Sequence, residues 1–329
     1  MKAQAAALGF DACGIAEAED VDPEDRLGAW LAAGRHAGMT WMARTKQVRQ
    51  DPRLKVPGAR SVIVVARNYY AARPEPPDGC GRVSRYAWGR DYHRVLRKPL
   101  RALAGFLSTL DAGAQSYCCV DTGPVLERAW AARAGIGWIG KNGLVLRRDL
   151  GSWLFLGVIV TTIELAADPP VADRCGACTR CIEACPTQAI VAPGIVDSRR
   201  CIAYHTIENA GEVPSELRTH FGNWVFGCDV CQEVCPWNRF ARKSTEKDFF
   251  PRAGHANPDL TAFEEMDEDR FNQRFAGSPL RRAGFGVMRR NVQIARQNMH
   301  NRAPFRHEEA TAAEVRPERH GSPRTATED

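Results

Sequence analysis

No apolar run in this sequence is long enough to cross a bilayer. The longest, Trp153–Val160, falls far short of the roughly 20 residues a helical span needs. A secretory signal is also missing, since Met1–Phe10 holds one Lys, no extended apolar stretch and no small-residue cleavage pattern. These absences argue against a membrane and point to the cytoplasm. Lysine is scarce: of 45 basic residues only 7 are Lys. The Arg excess suits phosphate recognition, although a GC-rich genome gives the same bias. Cysteine, at 12 in 329 residues, is too sparse for a disulfide scaffold. Nor is there an extreme of charge or hydropathy. A net charge of +6, with 44% hydrophobic and 26% charged residues, excludes a wholly disordered, collagen-like or membrane-embedded chain.

The cysteines that are present are concentrated. Eight lie between Cys175 and Cys235, and Cys13, Cys80, Cys118 and Cys119 stand apart. In a reducing compartment such a cluster reads as metal or redox chemistry. Cys175-x2-Cys178-x2-Cys181-x3-Cys185-Pro186 has the bacterial ferredoxin spacing for a 4Fe–4S cluster. In that pattern three thiolates on one tight loop hold one cubane, and the fourth, before Pro, ligates another. Cys228-x2-Cys231-x3-Cys235-Pro236 supplies a second set, and Cys201 completes it. The crossed assignment gives Cys175, Cys178, Cys181 and Cys235 to cluster one. It gives Cys185, Cys201, Cys228 and Cys231 to cluster two. The alternatives are zinc ribbons or chance; zinc ribbons leave the Cys-x3-Cys-Pro ends unexplained. Cys118 and Cys119 read as core residues.

Around this segment the chain changes character. Residues 1–167 read as mixed α/β, with buried strands at Ser61–Ala66 and Trp153–Thr162. Helices are expected over Leu96–Leu110 and Pro124–Ala134. The first carries Leu96, Leu100, Leu103, Phe106, Leu107 and Leu110 on one face. Pro74–Gly81 reads as a loop. Residues 168–240 form the Cys-rich segment. Residues 241–307 are polar and basic, with one or two helices over Leu280–Gln297 carrying Val287, Met288, Val292 and Ile294 as a stripe. Between Arg281 and His307 there are seven Arg and no acid. Residues 308–329 read as a disordered tail. The N-terminus starts directly in a helix, so an upstream start remains open.

Several ordered motifs carry a resemblance. They are VSRYAWGRDYH (83–93), VDTGPVLERAWAARAGIGWIGKNG (120–143), CGACTRCIEACPTQAI, VDSRRCIAYHTIENAG and GNWVFGCDVCQEVCPWN. Together these resemble the epoxyqueuosine reductase family over roughly residues 5–300. The resemblance implies an α/β (α+β) cobalamin-binding domain like that of reductive dehalogenases. A ferredoxin-like domain with two 4Fe–4S clusters follows, then a short, helical, repeat-like C-terminal region. It implies base-off cobalamin and a tRNA substrate bearing epoxyqueuosine at the wobble position. The epoxide oxygen is removed to give queuosine, the last step of its synthesis. A monomer and an unidentified electron donor are expected.

By the same resemblance Asp121, in VDTGP, is the proton donor. A donor at neutral pH needs a pKa well above that of ordinary Asp. The competing reading of Asp121 is an Asx turn with Thr122 and Gly123. Cobalamin contacts are expected at Arg44, Ser84, Asp121, Arg147, Ala203, Asp229 and Val230. Tyr86 and Trp88 are either pocket lining or core. His93 is expected to make a structural hydrogen bond and not to ligate cobalt. The run Gly135–Gly143 would let the backbone approach a large ligand, and Lys141 and Asn142 either touch the corrin or cap a turn. For tRNA, Arg281, Arg282, Arg289, Arg290 and Arg296 form the basic face, or a merely solvated one. His205, Glu208 and Asn209 would line the path to the modified base, or Glu208 pairs with an Arg. The family usually continues with further helical repeats, which this sequence shortens. The competing functions are a small-molecule reductase of dehalogenase type, and a ferredoxin-type electron carrier.

Overall fold

The computed structural model describes residues 1–301. The expected disordered tail, and the basic stretch 302–307 before it, lie outside the described residues. A four-stranded sheet forms the centre. Strands β1 (Ala12–Glu17), β2 (Ser61–Asn68), β3 (Ser116–Cys119) and β4 (Leu154–Thr161) lie in the order β1-β2-β4-β3, with every neighbouring pair antiparallel. The two runs read as buried strands are its two central members. Their side chains alternate between two apolar faces. Val62, Val64, Val158 and Val160 join one core, while Ile63, Val65 and Ile159 join the other. Both faces are covered, so the strands read as continuous apolar runs.

Helix α1 (Tyr92–Leu110) covers one face through Leu96, Leu100, Leu103 and Leu107. Asp91 caps it by accepting from the His93 amide. Leu110, expected in the stripe, is 56% exposed because the helix ends there. Helix α2 (Glu127–Arg133) covers the other face with Trp130 and Ala131. It begins three residues later than Pro124, because 121–126 form the turn that presents Asp121. Cys119 packs into a core as expected, and Cys118 lies beside the other.

The Cys-rich segment is stitched into this body. Trp224–Phe226 pairs in parallel with Arg82–Val83, so strand pairing crosses the boundary expected at residue 168. Within the segment, helix α3 (Ile202–Ile207) follows Cys201 directly. The basic region is equally integrated. A short 3-10 turn, Pro279–Arg282, leads into helix α4 (Gly284–His300). Met288, Val292 and Ala295 of α4 share a core with Val83, Trp88 and Phe226. Ile294 joins Ile202 and Trp224 in another, while Val287 is only half-buried. Buried Asn291 donates to the carbonyls of Thr206 and Val225, both at 2.9 Å.

Candidate functional site

Asp121 sits in the turn after β3 with φ of +60°, a left-handed conformation that Asp tolerates better than most residues. Its carboxylate is 61% exposed and is not spent on an Asx turn. The turn closes instead through the Thr122 amide, which donates to the Val120 carbonyl at 2.6 Å. Tyr92 Oη donates to Asp121 Oδ2 at 2.9 Å. His93 Nε2 lies 3.4 Å from the same oxygen, and its Nδ1 is 2.7 Å from Asp91 Oδ1. Stacking fixes this group: Tyr92 lies 4.3 Å above Phe155, with ring planes 4° apart. His93 thus has both ring nitrogens facing carboxylates, Nδ1 within hydrogen-bond distance of Asp91. Behind the turn, Glu127 Oε1 accepts from the Asp121 amide at 2.6 Å.

The electrostatics within this group run the other way from a stored proton on Asp121. Desolvation presses the Asp121 pKa up, but hydrogen bonds from His93 and Tyr92 outweigh it and hold the carboxyl below the ordinary Asp value. The protons rest on its neighbours. His93 is pushed to about 9, because its hydrogen bonds to Asp121 and Asp91 overcome the opposing cost of burial. Glu127 is pushed to about 8 by burial and by the Asp121 charge. The environment thus biases Asp121 toward its ionised form and His93 and Glu127 toward their protonated forms. Sequence reading does not single out Asp91, Tyr92 or Glu127, although DYH and VDTGPVLER lie within the quoted motifs.

The cysteines gather into two sets. Cys175, Cys178, Cys181 and Cys235 line one cavity, with Lys141, Asn142, Leu146, Pro236 and Trp237. Burial and the neighbouring thiols push Cys181 to about 11. In the second set, burial and nearby thiols raise Cys228 and Cys231 well above the ordinary range; Cys201 and Cys185 are among those neighbours. An all-thiolate set of four around a cavity fits a 4Fe–4S cluster, whose iron would relieve this crowding of like charge. Lys141 and Asn142 therefore belong beside the cysteines, and Lys141 Nζ donates to the Gly176 carbonyl at 2.7 Å. The glycines near them serve packing within the protein. A Cβ at Gly137 would lie 2.1 Å from the Leu146 carbonyl, so this run does not cradle a ligand there.

The expected cobalamin contacts divide. Ser84 and Asp229 are buried and bonded to each other through the serine hydroxyl. Asp229 also accepts from Arg73 at 3.0 Å and Arg85 at 3.2 Å, and Val230 is 1% exposed. These three side chains are enclosed within the protein. Trp88 is fully buried core, donating to the Val83 carbonyl at 2.9 Å, whereas Tyr86 is half-buried. Arg44 is exposed, and Arg147 and Ala203 are half-buried. Arg147 Nε lies 2.7 Å from Asp149 Oδ1. The Gly38 amide donates to Tyr204 Oη at 2.9 Å, and Arg49 Nη1 donates to the Val125 carbonyl at 3.4 Å. These bonds tie the segments carrying Arg44, Ala203 and Asp121 together.

The expected tRNA contacts also divide. Arg281 and Arg289 are exposed, with no carboxylate partner among the described residues. Arg282 pairs with Glu208 at 2.9 Å, and its charge helps lower the Asp121 pKa. Arg290 is not a free basic residue. Its guanidinium donates to the carbonyls of His205, Asn209 and Gly211, the bond to Asn209 being 2.8 Å. Arg296 pairs with Glu264. Asn209 bridges locally to the Glu212 carbonyl at 3.0 Å. His205 is 3% exposed and bonds the Arg199 carbonyl at 2.8 Å, so it does not line a path. Among the described residues no helix is long and apolar enough to cross a membrane.

Comparisons with known proteins follow this division of the chain. Residues 174–238 match the family described as a 4Fe-4S double cluster binding domain. Residues 49–122 match that described as epoxyqueuosine reductase QueG, DUF1730. An epoxyqueuosine reductase of Synechocystis sp. is 51% identical over 282 residues, which cover 85% of this chain and 97% of the relative. One from Escherichia coli (strain K12) is 41% identical, covering 95% of this chain and 83% of the relative. Among solved structures, an epoxyqueuosine reductase with an epoxyqueuosine-modified tRNA-Tyr stem loop is 32% identical with a TM-score of 0.84; the match covers 91% of this chain and 80% of that one. Another, from Bacillus subtilis with its catalytic aspartate loop swung out of the active site, gives 31% and 0.85 over the same shares.

Proposed function

The chain belongs to the epoxyqueuosine reductase family, and from that premise we propose that it removes the epoxide oxygen of epoxyqueuosine at the wobble position of a tRNA anticodon. It is an oxidoreductase of tRNA modification, and its residues 174–238 match a double-cluster domain. Opening an epoxide to an alkene takes two electrons and two protons and releases water. Cys175, Cys178, Cys181 and Cys235 would hold one 4Fe–4S cluster and Cys185, Cys201, Cys228 and Cys231 a second, and such clusters would supply single electrons. Cobalamin in the base-off form, when bound, supplies a strongly reducing cobalt centre. Arg44, Arg147, Ala203 and Asp121 are the residues that would hold it.

The observation that carries this reading is the Asp121 group. Asp121 presents a largely exposed carboxylate whose Oδ2 accepts from Tyr92 and faces His93. One of the two protons, held at His93, passes by way of the Asp121 carboxylate to the departing epoxide oxygen, and the second comes from solvent, so that the oxygen leaves as water. Tyr92 orients that carboxylate, and Glu127 fixes the turn through the Asp121 amide. Asp121 thus delivers a proton it does not store. Arg281, Arg282 and Arg289 meet the tRNA phosphates, with Glu208 orienting Arg282 at the rim. An unpaired anticodon base swings out to reach the carboxylate. Arg290 and Asn209 support this rim from within. Residues 1–167 carry the proton site, 168–240 the clusters and 241–307 the basic face, in a cytoplasmic monomer served by a separate electron donor. A carrier-only role leaves the Asp121 group without purpose.

The test is direct. The clusters are reconstituted anaerobically, cobalamin is added, and the protein is incubated with tRNA bearing epoxyqueuosine under a strong reductant. Nucleoside mass spectrometry should show the loss of one oxygen. Unchanged epoxyqueuosine with both clusters and cobalamin bound overturns the proposal.

A further inference from the structure

We propose that a groove beside the cluster-one cavity docks a small acidic one-electron carrier protein. The inference rests on the reading of Cys175, Cys178, Cys181 and Cys235 as a cluster site. The groove is lined by Arg148, Arg174, Arg239 and Arg242, with Trp237 and Phe240 between them. Trp237 also lines the four-cysteine cavity, so one indole forms the wall between the two. That indole is fixed by donating to the Arg174 carbonyl at 3.2 Å and by edge-on packing against Trp138 at 5.0 Å. Arg174 directly precedes Cys175 in the chain, and the turn Pro236–Phe240 directly follows Cys235. A protein seated here would stand one side chain away from the thiolates.

Charge names the partner. The groove holds four Arg and one acid, Asp149, which is engaged by Arg147 at 2.7 Å and Arg242 at 3.5 Å. Arg148, Arg174 and Arg239 have no carboxylate partner among the described residues. Phe240 is 46% exposed with the Arg239 guanidinium over its ring at 4.6 Å. A half-buried Trp beside exposed Phe and Arg has the composition of an interface centre. Unpaired Arg at its edge selects an acidic surface and speeds encounter with it. RNA would also answer to Arg and aromatics. Yet no described hydrogen bond or ion pair links this groove to the Asp121 group, where the modified base must arrive. Its continuity is with the cluster instead. Each docking moves one electron: the carrier is oxidised by one, the cluster is reduced by one, and no bond or proton is exchanged. Two dockings match the two electrons one epoxide consumes.

The experiment uses the full chain with its clusters loaded. A reduced flavodoxin and a reduced 2Fe–2S ferredoxin, both acidic, are each mixed with it anaerobically, and bleaching of the visible cluster absorbance is followed. The wild type is compared with the double variant Arg148→Glu/Arg239→Glu, and dithionite reduction is run in parallel. Reduction by at least one carrier should slow ~10-fold or more in the variant, and should slow with added salt in the wild type. Dithionite should bleach both proteins alike, which also shows that the variant is folded and loaded. Arg148→Lys/Arg239→Lys should restore the carrier rate. Carrier rates indifferent to both salt and charge reversal overturn the proposal. So does a variant that loses tRNA stem-loop affinity while its carrier rates hold, since the groove then belongs to RNA. If dithionite bleaches no cluster in the wild type, the cluster reading itself fails and takes the docking with it.

Discussion

Replacing Arg290 by Met should destabilise the protein without touching its contact with tRNA. The guanidinium holds three main-chain carbonyls, of His205, Asn209 and Gly211, and also the side chain of Asn291 at 2.9 Å. Methionine keeps the packing of the stem and removes every donor. A carbonyl stripped of a charged partner costs about 1–3 kcal/mol if water cannot replace it. The site is half-buried, so the low end applies, and three carbonyls give about 3 kcal/mol. For domains of 150–250 residues each kcal/mol lowers the melting midpoint by about 2–4 °C, so a fall of about 6–12 °C is expected. Differential scanning fluorimetry on cluster-loaded protein measures it. The neighbouring control is Arg289→Met, exposed and without a described partner, which should melt within about 0.5 kcal/mol of wild type. That variant should instead weaken tRNA binding and reduce the slope of log affinity against log salt by about 1. If Arg290→Met melts with the wild type and shows the reduced salt slope, the clasp is misread and Arg290 is a phosphate ligand.

Other predictions follow from the two sites. Asp121→Asn should lower the deoxygenation rate by about 10²–10⁴-fold while iron content stays constant; near-normal single-turnover conversion refutes the proton role. Raised pKa values make the fold sensitive to alkali: the stabilisation from His93 is complete below about 6.5 and is lost as pH rises through about 9, and that from Glu127 is complete below 4.5 and lost through about 8. Glu127→Gln should therefore flatten the decline between pH about 4.5 and 8 and melt above the wild type at pH near 9, and identical pH–melting curves count against it. Cys235→Ser and Cys201→Ser should each remove about half the iron and spare the other cluster by EPR. Loss of the same cluster from both variants breaks the crossed assignment.

The elements most legible in the sequence are those whose side chains repeat. The runs around Ser61–Ala66 and Trp153–Thr162 announce a doubly covered sheet because both alternating faces are apolar. The Leu96–Leu107 stripe announces its helix because the spacing is helical. Cysteine spacing is equally readable, since a thiolate loop must have a fixed reach. What escapes is pairing between distant segments. Nothing local in RRN shows that Arg290 turns inward to the carbonyls after His205. Nothing in SRYAW shows that Ser84 and Asp229, 145 residues apart, satisfy each other in a buried site. Composition also misleads where a basic run is half committed to the fold. The Asp121 pKa is the plainest case: one residue in a motif suggests an acid, and only its neighbours Tyr92, His93 and Glu127 reveal which group holds the proton.

The cavity shared by Cys175, Cys178, Cys181 and Cys235 bears on how the protein is made. Three of its thiols leave the ribosome well before the fourth, and the second set waits for Cys228 and Cys231. Neither cluster can be completed on a nascent chain until the end of the cysteine segment has emerged and folded back. The strand that folds it back, Trp224–Phe226, pairs with Arg82–Val83 from the other side of the molecule. On the crossed assignment proposed above, iron insertion would follow tertiary folding, and an assembly factor would meet a folded cysteine segment, not an unfolded loop.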